Sequence, residues 1–186
     1  MRLILASASP RRRELLSLIT ADFTVAPAEA DESLPPGTDP VRAVRLLARR
    51  KARAVANGYP KDAVIGADTV VALDGLILGK PHDVSDAERM LRLLSGKTHF
   101  VHTGVCVLCA GVAQQFVSSA AVTFLPMREE EILSYAAGGE GDDKAGAYAV
   151  QGVGARYIER IDGDYYTVMG LPVCRLYRLL SDGGML

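Results

Sequence analysis

The sequence predicts an α/β fold: a mixed β-sheet with flanking helices. Strand-like and helix-like segments alternate through the first part of the chain, as parallel strands require, whereas hairpin signals dominate the later part and pair strands antiparallel. At 186 residues, with 49% apolar and 23% charged residues, the chain has an ordinary globular balance and enough length to bury a sizeable core.

Leu3-Ile-Leu-Ala6 is a short apolar run, read as a buried strand. Ser9-Pro10 supplies an N-cap followed by proline at the first helical position, and Leu15, Leu16 and Ile19 give that helix its buried side. A loop of acids and prolines runs from Pro27 to Pro40. From there to Asn57, the apolar residues Val41, Val44, Ala48, Ala52 and Val55 recur at spacings of 3, 4, 4 and 3, which is one helix face, ended by Asn57-Gly58. Ala63 to Ala67 reads as a second buried strand. Val70 to Leu73 and Leu76 to Leu78 flank Asp74-Gly75, a strong hairpin signal.

Ser85-x-x-Glu88 has the form of a capping box for a helix bearing Ala87, Met90, Leu91 and Leu94, with Gly96 as its end. Thr98 to Leu108 and Gln114 to Phe124 are long strand-like runs joined near Ala110-Gly111, a hairpin able to join two lobes around a cleft. Arg128 to Ala137 is a short helix. Ala147 to Val150 and Arg156 to Ile161 read as strands, and Asp162-Gly163 turns into Tyr165 to Met169. Pro172 starts a last helix with Val173, Leu176, Leu179 and Leu180 inward. There is no repeat, low-complexity tract or linker, so residues 1–186 are expected to form a single domain with two lobes.

Lys and Arg number 21 against 22 Asp and Glu, a net charge of -1. Global charge therefore argues against a nucleic-acid or membrane-surface partner, and any anion site must be a local cluster. Cys106, Cys109 and Cys174 are an odd number without framework spacing. The Cys106-x-x-Cys109 pair lies in an apolar run with no second pair, so it reads as strand rather than metal or redox centre. The N-terminal stretch lacks the length of a signal peptide's apolar region, and no run approaches the roughly 20 apolar residues of a membrane span. The expectation is a cytoplasmic protein.

The chemistry gathers in a few clusters. Ser7-Ala-Ser-Pro-Arg-Arg-Arg13 hands a strand over to a helix N-terminus, where free N–H groups, the helix dipole and the Ser7 and Ser9 hydroxyls favour an anion. Arginines in a first turn oppose the dipole, and a bound polyphosphate reverses the sign of that interaction. Asp68, in Ile65-Gly-Ala-Asp-Thr-Val70, is expected at a strand end, where a carboxylate serves as metal ligand or base, or merely caps the strand. Lys80, between Gly79 and Pro81, has a fixed backbone from which to address phosphate. Lys51 borders the sheet-facing side of the long helix and either reaches inward or snorkels to water. Gln151 follows a glycine-rich turn that begins at Gly139 and carries acids and Lys144. Asp31-Glu32-Ser33 is a polar loop. No P-loop, dinucleotide fingerprint, nucleophile elbow or histidine metal motif is present.

Taken together these clusters resemble the Maf family of nucleotide pyrophosphatases. The matching stretches are Leu5-Ala-Ser-Ala-Ser-Pro-Arg-Arg-Arg-Glu-Leu-Leu16, Asp31-Glu-Ser33, Ala48-Arg-Arg-Lys-Ala52, Val64-Ile-Gly-Ala-Asp-Thr-Val-Val71 and Leu78-Gly-Lys-Pro81. Ala87-x-x-Met-Leu-x-x-Leu-Ser-Gly96, Thr103-Gly-Val105, Asp143-Lys-Ala-Gly-Ala-Tyr-Ala-Val-Gln-Gly152 and Gly163-Asp-Tyr-Tyr-x-Val-Met-Gly-Leu-Pro172 complete the set, which spans essentially the whole chain. The chain departs from the family pattern at Arg50, where glutamate is common, and at Gly141, where proline is common.

The resemblance implies a fold similar to inosine triphosphate pyrophosphatases, with a cleft between two lobes. It also implies hydrolysis of a nucleoside triphosphate between the α- and β-phosphates with a divalent cation, Mg2+ or Mn2+. It makes Asp68 the proton acceptor and associates Arg11, Thr69 and Gln151 with substrate choice. Ser7, Arg12, Lys51 and Lys80 would hold the triphosphate, with Lys80 also in the catalytic set, and Glu32 with Asp68 would carry the metal. The Asp143-to-Gly152 stretch resembles the subgroup acting on dTTP and UTP rather than 7-methyl-GTP. The rival readings are a non-hydrolytic nucleotide-binding regulator of cell division, and a pyrophosphatase for a modified purine or other damaged nucleotide. A homodimer is a possible assembly.

Overall fold

A computed structural model describes all 186 residues. Its sheet is mixed. Strand β1 (Leu3–Leu5) pairs in parallel with β2 (Phe23–Val25) on one side and with β3 (Ala63–Leu73) on the other. The hairpin partner β4 (Leu76–Leu78) runs antiparallel to β3, and β7 (Ile158–Asp162) antiparallel to β6 (Val112–Phe124). With β5 (Thr98–Cys109) the strand order is β2-β1-β3-β5-β6-β7, β4 pairing with β3 alone.

The helices are α1 (Pro10–Ser17), α2 (Pro40–Ala56), α3 (Val84–Leu94), α4 (Glu129–Ala137), α5 (Tyr165–Met169) and α6 (Val173–Asp182). None is long and apolar enough to cross a membrane. The hairpin turns are as their sequences suggest: Asp74-Gly75 and Ala110-Gly111 all have positive φ, the backbone of a two-residue turn that matches strand twist.

The chain forms two compact units, one of Met1–Thr69, Thr103–Ser118 and Tyr165–Leu186, the other of Val70–His102 and Ser119–Asp164. In the first unit α2 lies against the sheet with its backbone nearly touching. A Cβ added to Gly66 on β3 would come within 2.3 Å of the Ala48 carbonyl oxygen, and one on Gly104 of β5 within 2.4 Å of the Val44 carbonyl oxygen. Gly66 facing the small residues Ala48 and Ala52, and Gly104 facing the backbone of Val44 and Arg45, let helix and sheet close up over Ile4, Ala6, Val64 and Cys106. All three cysteines are free thiols, and burial pushes that of Cys106 up.

In the second unit α3 packs on α4. His99 is fully buried, with Nε2 2.8 Å from the Tyr148 hydroxyl and its ring edge-on to Phe124 and Tyr148. Burial pushes its imidazole down to about 4, so it is neutral.

Several elements differ from expectation. β3 is one strand through Asp68 and Thr69, not two pieces with Asp68 at an end. The buried carboxylate has a cationic partner, so the strand need not break there. The Asp83 side chain, not Ser85, caps α3 by accepting from the Asp86 N–H. Ala147–Val150 is not a strand, because Gly146, Ala147 and Gly152 take positive φ and turn the chain. Val153–Tyr157 is a 3-10 turn, so β7 begins only at Ile158, and Tyr165–Met169 is a short helix. Strand β2 falls in a stretch for which no element was expected.

Candidate active site

Two sets of side chains meet within the first unit. The first sits where β1 gives way to α1. Ser9 caps the helix, its hydroxyl accepting from the Arg12 N–H, and the Ser7 hydroxyl accepts from the Ser9 N–H. Arg12 turns back from the first turn and is held on three sides. Its Nε donates to the Gly170 carbonyl at 2.9 Å, Nη2 to the Thr69 hydroxyl at 3.1 Å and Nη1 to the Ser7 hydroxyl at 3.4 Å. Burial pushes the Arg12 guanidinium below its ordinary value; Asp68 pulls it back, Arg11 adds to the lowering and Glu32 opposes it. Arginine stays charged under any such shift, so the site keeps a fixed cation. Arg11 is half-buried and Arg13 exposed.

The second set forms between β3 and α2. The close helix–sheet contact at Gly66 brings Lys51 Nζ to 2.5 Å from Asp68 Oδ1, and the same ammonium lies 2.7 Å from Glu32 Oε1. The Asp68 and Lys51 side chains are only 10% and 14% exposed, so this pair is shielded from solvent, while Glu32 is largely open. Arg50 steadies the Glu32 loop by donating to the carbonyls of Asp31 and Ser33. That gives Arg50 a local structural use.

Residues 2–183 match the family model for Maf-like protein. The chain belongs to the Maf family. A protein from Koribacter versatilis named dTTP/UTP pyrophosphatase is 50% identical over 186 residues, covering 100% of this chain and 96% of its own length. One of the same name from Aquifex aeolicus is 48% identical, with coverages of 100% and 97%. Among solved structures, the Staphylococcus aureus Ham1 protein superposes with a TM-score of 0.55 at 13% identity, covering 98% of this chain and all of that one, which is a likeness of fold.

Of the residues singled out in this Maf chain, Ser7, Arg12 and Thr69 share one hydrogen-bonded set, and Glu32, Lys51 and Asp68 another. Lys80 and Gln151 lie in the second unit, both exposed. The Gly146 N–H donates to the Gly79 carbonyl at 3.0 Å and ties the Lys80 segment to the glycine-rich turn. Lys144 spends its ammonium within that turn, on Asp143 and the Glu140 carbonyl.

Other residues emerge only in three dimensions. Thr103 is fully buried against Thr69, their hydroxyl oxygens 2.9 Å apart, and Gly170 acts through its carbonyl. Glu140 organises the turn that carries Gln151: its carboxylate accepts from the N–H groups of Val153 and Gly154 and from the Tyr135 hydroxyl, which itself accepts from the Ala149 N–H. A threonine in an apolar strand and an acid between glycines give a faint signal in sequence. A backbone carbonyl gives none.

No group of three or more His, Cys, Asp or Glu side chains is placed to hold a metal ion. The donor set still suits one. Glu32 and Asp68 both direct carboxylate oxygens at a single cationic centre, the Lys51 ammonium, and oxygen donors of that kind match hard divalent cations, which take their other ligands from water and substrate phosphates.

Proposed function

We propose that this Maf protein hydrolyses dTTP and UTP to the nucleoside monophosphate and pyrophosphate. The observation that carries the reading is the buried Asp68 carboxylate, bridged by Lys51 to Glu32 and close in charge to the anchored Arg12. A triphosphate brings about four negative charges, and fixed cations oppose that load best where water is scarce. Asp68 accepts the proton of the attacking water. The water oxygen bonds to phosphorus, and the bond to the oxygen bridging the α- and β-phosphates breaks, its electron pair leaving with the pyrophosphate.

Ser7, Arg12, Lys51 and Lys80 bind phosphate oxygens in this reading, Arg12 through the N–H groups it has left after its three internal bonds. Glu32 and Asp68 would hold a divalent cation, Mg2+ or Mn2+, and such an ion would supply charge to polarise phosphate and orient water. Arg11, Thr69 and Gln151 choose the base. The names of the relatives support this substrate class, and their full-length coverage supports carrying it over. The setting would be the cytoplasm. A panel of purified nucleoside triphosphates with Mg2+ or Mn2+, scored for pyrophosphate, tests the proposal. Preference for dTTP and UTP is expected, and nucleotide binding without turnover, or preference for ATP or GTP, would overturn it.

A further inference from the structure

We infer that Thr103 is a positioning residue for base selection: by taking the Thr69 hydroxyl proton it leaves Thr69 an acceptor only, which favours a base presenting N3–H over one with a bare N3. The inference rests on the pyrimidine reading above. The proton directions follow from the partners. Thr103 is fully buried, and its hydroxyl donates to the Thr167 carbonyl at 2.7 Å, a bond in which only Thr103 can be the donor. A hydroxyl has one proton. In the 2.9 Å contact between Thr69 and Thr103, Thr69 must therefore donate and Thr103 accept. Thr69 in turn accepts from Arg12 Nη2 at 3.1 Å. The chain of protons runs in one direction, from Arg12 to Thr69 to Thr103 to the Thr167 carbonyl.

Thr69 is half-buried rather than sealed in the core. Its proton is committed and one lone pair is occupied, leaving one lone pair to offer. A phosphate oxygen, which can only accept, gains nothing there. The N3–H of thymine or uracil can donate to it, whereas the bare N3 of cytosine meets lone pair against lone pair. The geometry is held from one short element: α5 supplies the Thr167 carbonyl that fixes Thr103, and the residue just past it supplies the Gly170 carbonyl that fixes Arg12. The Thr167 hydroxyl donates to Ser118 at 2.7 Å and anchors the helix.

The test is kcat/KM for UTP and CTP in the wild type, Thr103→Val, Thr103→Ser and Thr69→Val. Thr103→Val frees the Thr69 proton to turn toward cytosine N3, so the UTP:CTP ratio should fall roughly 10-fold or more, mainly by a gain on CTP. Thr103→Ser, which restores the acceptor, should keep the wild-type ratio. A fall in Thr69→Val with an unchanged ratio in folded Thr103→Val would overturn the inference and leave the pyrimidine reading intact. A wild type that does not distinguish UTP from CTP would overturn both. Should Thr103→Val fail to fold, neutron diffraction from the deuterated wild type decides. Deuterium on Thr69 pointing at Thr103 is expected, and the opposite direction would refute the inference.

Discussion

Lys51 Nζ stands 2.5 Å from Asp68 Oδ1, with both side chains largely shielded from water. A carboxylate in the middle of a buried strand is costly unless paired, and here the partner comes from a helix that two glycines allow to press on the sheet. The same ammonium also holds Glu32, so Lys51 keeps a partner if Asp68 is neutralised.

Asp68→Asn should therefore fold normally and bind nucleotide, because Arg12 and the other cations remain, yet lose turnover by roughly 100-fold or more, the usual contribution of a general base. Parallel measurements of kcat and of nucleotide affinity by calorimetry check this. Wild-type turnover in the variant would remove Asp68 from the base role.

Gly66→Ala tests how the pair is brought together. The new methyl would sit 2.3 Å from the Ala48 carbonyl oxygen and 2.6 Å from the Ala52 nitrogen, so α2 must lift. Overpacking against backbone costs about 3 kcal/mol, which for a domain of this size is a drop of about 6–12 °C in Tm. Activity should fall along with stability as Lys51 moves away from Asp68. A variant with unchanged Tm would show that the close approach is dispensable.

Buried His99 gives a pH signature. Its folded value of about 4 lies below the ordinary 6.5, so between those values the unfolded chain takes up a proton that the folded chain refuses. The full contribution is present above pH 6.5 and is lost as pH falls. Between pH 6.5 and 5 the loss should be on the order of 1–2 kcal/mol, read by denaturant unfolding. His99→Gln, which keeps a partner for the Tyr148 hydroxyl, should flatten that slope; the same slope in both proteins would assign it to other groups.

Gln151→Ala should cost kcat/KM for dTTP and UTP more than it costs triphosphate affinity, since a side-chain amide can match the O4 and N3–H edge those bases share. Equal loss on every base would show that Gln151 does not read the pyrimidine.

Much of this was legible in sequence because local chemistry and tertiary structure agree. The 3, 4, 4, 3 spacing of α2, the Ser9-Pro10 cap and the Asp74-Gly75 turn each specify their own backbone. Sequence reasoning failed where distant residues decide the outcome. Asp68 looked like a strand terminus because its cationic partner lies 17 positions away on another element. The segment from Ala147 to Val150 looked like a strand because its apolar residues carry no mark of the positive φ at Gly146, Ala147 and Gly152, or of Glu140 drawing the turn inward. Thr103 could not be assigned a role, since its importance lies in the direction of one proton.

The most direct measurement is 31P NMR of dTTP incubated with the wild-type protein and Mg2+ or Mn2+, with and without chelator. The account predicts dTMP and pyrophosphate as the sole early products and no reaction once the metal is chelated. The appearance of dTDP with inorganic phosphate, or undiminished turnover in chelator, would contradict it.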